Sequence, residues 1–121
     1  MKIIIETIPH DQHRYSTVGD YWWEPDGTLQ IRISALPDNM AFLVAVHEMV
    51  EAWICERRGI KEPDIKAFDE ANPDSDDPGT MPEAPYHKEH IFAECLERLV
   101  ARELGVNWEE YDRTIEGLFS E

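Results

Sequence analysis

A chain of 121 residues has room for one domain with a sizeable core and not for two independent ones. Its 42% hydrophobic and 10% aromatic content is enough to offset the entropy of ordering, so its 31% charged content belongs on a folded surface. Eleven basic against 26 acidic residues leave a net charge of -15, a field that repels phosphate backbones and anionic membranes and concentrates cations.

The first apolar patch, Ile3 to Ile5, is interrupted by Glu6, and no apolar run approaches the ~18 residues of a membrane span or the core of a signal peptide. The expectation is a soluble, cytoplasmic protein without nucleic-acid or membrane partners. Cys55 and Cys95 are too few and too far apart for a disulfide framework, and read as buried small residues in a reducing compartment.

Lys2 to Ile8, rich in isoleucine and closed by Pro9, predicts a strand. Arg14 to Trp23 and the alternating Thr28 to Ser34 predict two more, joined as a hairpin by Asp26-Gly27. The adjacent Trp22 and Trp23 must then face opposite sides of their strand. His10 and His13, near a turn, read as solvated.

From Asp38 the apolar period changes to three and four, with Phe42, Val46, Met49 and Trp53 on one row and Leu43, Val50 and Ile54 on the next. This predicts a central helix over 39–58, capped by Asp38 and stopped at Gly59. Residues 61–85 hold five prolines and many acids and predict an irregular acidic loop, with room for a short helix around Ile65 to Ala71. Such a long connection commonly covers or feeds a site. Its Asp74-Ser75-Asp76-Asp77 run lacks the pattern of a calcium loop.

Ile91, Phe92, Cys95, Leu96, Leu99, Val100 and Leu104 predict a second long helix over 85–104 ended by Gly105. Asn107 and Glu110 form a capping box for a short C-terminal helix. The expected fold is α+β: a single domain, 1–121, with a three-stranded, mostly antiparallel sheet packed on two long helices.

Chemistry concentrates on the two long helices. His47 and Glu51, four apart, share a helical face, and Cys55 continues their row. His87, His90 and Glu94, at spacings of three and four, make a second stripe. Both stripes border apolar arcs, where burying an unpartnered polar group costs on the order of 2 to 7 kcal/mol, so mutual pairing or a cation is required.

The segment His47-Glu48-Met49-Val50-Glu51 resembles the His-Glu-x-x-His motif of the zincin metallopeptidases, with Glu51 in place of the second histidine. The resemblance covers these five residues and a similar order of sheet, helix, loop and helix. It implies a zincin-like fold, a zinc ion or another divalent metal, and a peptide or protein substrate. By that resemblance His47 and Glu51 are metal ligands and Glu48 is the base that takes a proton from activated water. The glutamate zincins use two histidines and a glutamate, and His90 would complete such a set here. His90, or alternatively His87, follows only from its own stripe.

Two other readings compete. Glu48 with Glu51 and Glu94 with Glu97, each pair three apart, resemble the magnesium-holding carboxylates of all-alpha nucleotide pyrophosphohydrolases. The strands and histidines argue against this reading, because magnesium prefers oxygen ligands. The third reading is a non-enzymatic acidic interaction protein whose helices share a structural polar network.

Overall fold

The computed structural model describes residues 1–75 and 77–120; Asp76, from the acidic run, and Glu121 lie outside the described residues. The protein is α+β. Three strands, β1 (Ile3–Ile8), β2 (Gly19–Trp23) and β3 (Leu29–Ser34), form one sheet, and four helices follow: α1 (Met40–Arg57), α2 (Glu62–Ala71), α3 (His87–Glu103) and α4 (Trp108–Leu118). Short 3-10 turns lie at His10–Gln12 and Pro78–Thr80.

The hairpin forms at Asp26-Gly27, where Gly27 N donates to Glu24 O at 2.9 Å. Its second strand occupies the centre of the sheet, in the order β1-β3-β2. β2 pairs with β3 antiparallel, but β1 pairs with β3 parallel, from Ile3 opposite Leu29 to Ile8 opposite Ser34. The sheet is therefore mixed and not mostly antiparallel: β1 takes the free edge of the hairpin's second strand and runs in its direction.

Alternation on β3 buries Leu29, Ile31 and Ile33 completely. Against them pack Met40, Leu43, Val44 and Ala45 of α1, with Ala101 of α3 and Tyr111 of α4 in the same core. Trp23 joins this core and lies 5.9 Å from Trp53, while Trp22 is covered on the opposite face by Arg14 and Arg32, 4.4 and 5.1 Å from its ring. His10 and His13 are not solvated: both are half-buried and hydrogen-bonded to the buried Ser34 hydroxyl, at 2.8 and 2.9 Å, tying the first turn to the end of β3.

Asp38 does not cap α1. It sits at φ 52 in the reversal after Pro37, and Asn39 takes the N-cap position. Both long helices stop by the same device, a glycine at positive φ followed by an amide that reaches back into the last turn. Ile60 N bonds Cys55 O and Val106 N bonds Ala101 O, each at 2.9 Å, across Gly59 and Gly105. The Asn107 cap is present, its side chain accepting from Glu110 N at 2.9 Å.

The buried face of α3 differs from the expected one. Glu89, His90, Ala93, Glu97 and Ala101 point inward, whereas Phe92 and Leu99 are 48% and 58% exposed. Cys55 is buried as expected but Cys95 is exposed, because it lies on that outer face. The small Ala93 and Ala101, with Ala52 on α1, allow α1 and α3 to approach closely, so the seam between them holds polar side chains. Part of the acidic segment folds as α2, whose Ile65 packs with Cys55, Ala84 and Tyr86 in a second small cluster. Among the described residues, no helix is long and apolar enough to cross a membrane.

Leu43, fully buried between α1 and the sheet, sets the scale of the core. Leu43→Ala should cost about 2 to 5 kcal/mol, read as a lower urea midpoint at unchanged slope.

Candidate metal centre

α1 and α3 run antiparallel, with Arg58 just beyond the end of α1 on Glu89 at the start of α3, at 2.6 Å, and His47 reaching Glu97 two turns further along α3. Between them His47, Glu51 and His90 meet. His47 Nε2 is 3.0 Å from Glu51 Oε2 and 3.2 Å from His90 Nδ1, and His90 Nδ1 is 2.8 Å from the same Glu51 oxygen. These three atoms form a small triangle, and all three residues are buried.

The far side of each imidazole is also occupied by a carboxylate. Glu97 Oε1 is 2.8 Å from His47 Nδ1, and Tyr111 donates to the other Glu97 oxygen at 2.5 Å. Asp77 Oδ1 is 3.0 Å from His90 Nε2, close enough for charge pairing but not aligned as a hydrogen bond, which leaves that buried nitrogen without a hydrogen-bond partner among the described residues. A carboxylate only accepts, so the His47 nitrogen facing Glu97 carries a hydrogen. The three atoms of the triangle then offer lone pairs to one another unless protons or a cation stand between them.

In the absence of a cation, protons fill that place. Burial alone would depress His47, but its hydrogen bonds to Glu51 and Glu97 outweigh this and raise it to about 11. His90 is likewise depressed by burial and raised more strongly by Asp77 and Glu51, to about 10. Burial would raise Glu51, yet the two imidazoles hold it down to about 2. Glu48 has no such partner, and burial and the neighbouring Glu51 charge push it up to about 8.

Two glycines make room for these side chains. A Cβ on Gly19 of β2 would stand 2.7 to 2.9 Å from atoms of the Glu48 side chain. One on Gly79 would stand 2.4 to 2.8 Å from atoms of the His90 ring. The sheet thus backs Glu48, and the 3-10 turn from the acidic segment backs His90.

Of the residues singled out by spacing, His47, Glu51 and His90 come together, with Glu48 beside them. His87 and Glu94 do not join the cluster. His87 Nδ1 is 2.9 Å from the Gly79 carbonyl oxygen, where it holds the turn that walls His90, and Glu94 lies 3.9 Å from Arg98. The reason is helical phase: the inward seam of α3 runs 90, 93, 97, 101, and positions 87 and 94 fall on its flank. Glu94 and Glu97 therefore do not present a carboxylate pair to Glu48 and Glu51.

Sequence reading missed Asp77 and Tyr111 as members of the site and placed Glu97 only in the magnesium pairing. Glu97 had a usable signal, being seven residues, or two turns, beyond His90. Tyr111 and Asp77 had none. Compared with protein-family models, curated proteins and solved structures, the chain matches none.

These charge states fix a pH dependence in the presence of a chelator. His47 and His90, raised from 6.5 to about 11 and 10, contribute stability that is complete below about pH 6.5 and lost as pH rises through those values. Glu48, raised from 4.5 to about 8, adds a loss over that lower interval. Glu51, lowered to about 2, contributes above 4.5 and loses its contribution only as pH falls through 2. The melting temperature in EDTA should fall from about pH 6 toward about pH 10; a curve that rises over this interval would contradict the assignment.

Proposed function

We propose that His47, Glu51 and His90 hold a divalent metal ion, zinc by the nature of the donors, and that the protein is a zincin-like hydrolase of peptide or other amide bonds. One observation carries the reading: two imidazole nitrogens and a carboxylate oxygen converge within 3.2 Å, and each imidazole is backed by a second carboxylate. Ligand atoms about 2.0 to 2.1 Å from a tetrahedral zinc stand about 3.3 Å apart, so the triangle needs to open only slightly. Carboxylates behind metal-binding histidines orient the rings and raise their basicity.

A bound divalent ion supplies Lewis acidity and brings the pKa of water toward about 7. The remaining work falls to the chain. Glu97, steadied by the Tyr111 hydroxyl, keeps His47 in the tautomer whose Nε2 faces the cluster. Glu48, close enough to Glu51 to feel its charge and packed on Gly19, would be the proton acceptor, and a bound cation would oppose the burial that raises its pKa. Tyr21 stays protonated because burial and the Glu51 charge raise it, and its hydroxyl donates to Glu51 Oε1 at 3.4 Å. Beside Tyr21 a cleft of about 180 Å³, lined also by Trp23, Cys55, Lys61 and Ile65, offers mixed apolar and polar walls for a substrate side chain.

A second reading has its own observation. With both histidines protonated, every polar atom of the triangle has a partner, which suits a structural network of a non-enzymatic protein.

Metal content and peptide hydrolysis, measured together on three variants, separate the readings. Glu51→Ala should lose the ion, and Glu97→Gln should weaken its retention by about 10- to 100-fold. Glu48→Gln should keep the ion and lose about 100-fold or more of the hydrolytic rate. Metal retention by Glu48→Gln with no hydrolysis by the wild type would leave a structural metal; no metal in the wild type would favour the proton network. Equal activity of wild type and Glu48→Gln would remove Glu48 from the chemistry.

A further inference from the structure

The solvent face of α3 carries a short apolar stripe where a surface helix is ordinarily polar. Lys88, Phe92, Cys95, Leu99 and Glu103 follow one another at spacings of four, three, four and four, and all five are exposed. Phe92 and Leu99 are absent from both hydrophobic clusters found among the described residues. Large apolar side chains gathered on one strip mark an interaction surface more than a scatter of single ones does.

Charge selects the occupant. The chain as a whole carries -15, which repels a second copy over most of its surface. On α3, Glu89 and Glu97 are turned inward, leaving three basic residues, Lys88, Arg98 and Arg102, against two acids, Glu94 and Glu103. The strip is thus an apolar, near-neutral zone on an acidic molecule, where two copies can meet with little local repulsion. The stripe also complements itself when reversed: it begins with a lysine, ends with a glutamate, and holds Phe92 and Leu99 at equal distances from its centre.

We propose that α3 packs antiparallel against α3 of a second copy across a two-fold axis that passes between Cys95 and Leu96. In this register Phe92 meets Leu99 of the second copy, and Lys88 meets Glu103 of the second copy. Each contact occurs twice, as two-fold symmetry requires. Cys95 of one copy then lies near Cys95 of the other, across helices about 8 to 10 Å apart.

Sedimentation velocity from low to hundreds of micromolar protein, with a short bismaleimide as cross-linker, tests the proposal. The wild type should sediment as a dimer and cross-link through Cys95, the exposed cysteine of the two, with Cys95→Ser abolishing the product. Leu99→Glu should weaken self-association at least about tenfold; unchanged circular dichroism would confirm that this exposed position leaves the fold intact. Lys88→Glu and Glu103→Lys should each weaken the dimer, and the double reversal should restore it, because the pair is made between copies. A monomeric wild type, a dimer indifferent to Leu99→Glu, or a double reversal no better than the single ones would overturn the proposal. Capture of the stripe by vesicles, with the protein monomeric in their absence, would equally do so.

Discussion

Two imidazoles and a carboxylate oxygen pressed within 3.2 Å inside a helix pair carry a heavy electrostatic penalty unless about two units of positive charge accompany them. Two protons can supply that charge, giving two imidazolium rings, and so can one divalent ion between two neutral rings. The surrounding carboxylates see the same total in either case. Much of the architecture answers this demand. Ala52 and Ala93 let the helices close on the cluster, Glu97 and Asp77 add negative charge behind each ring, and Tyr111 reaches across from α4 to complete the hydrogen bonding of Glu97.

The same demand accounts for the division of labour in α1. The first turns of the helix, through Leu43 and Val44, make the apolar core with the sheet, and the next turns of the same face, through His47 and Glu51, make the polar seam with α3. α3 receives little apolar burial from that seam. Phe92 and Leu99 face outward, and its anchorage comes from charged hydrogen bonds at the seam, the Arg58 to Glu89 pair at one end and the contacts of Val100 and Ala101 with the core at the other.

Local signals were legible. The Asp26-Gly27 turn, the two glycine helix stops, the Asn107 cap and the change of period at residue 38 each depend on a few neighbouring residues. The i, i+4 pairing of His47 with Glu51 was legible for the same reason. What escaped was whatever depends on the choice of neighbour. Nothing within Ile3 to Ile8 says which edge of the hairpin it joins, so its parallel direction was not readable. Nor does the periodicity of α3 say which of its two faces turns inward: Phe92 and Leu99 face solvent, and Glu97 fills the seam that the stripe of His87 and Glu94 only flanks. Asp77 arrives from a proline-rich segment with no period at all.

The sheet order also bears on how the chain assembles. Ile3 pairs with Leu29 and with no nearer strand, so β1, synthesised first, has no ladder to join until the hairpin has presented the outer edge of β3. Closing that long loop before any reward is gained is slow, whereas the hairpin and the helices close locally. The N-terminal strand should therefore dock after the hairpin has formed, leaving its isoleucines exposed until then.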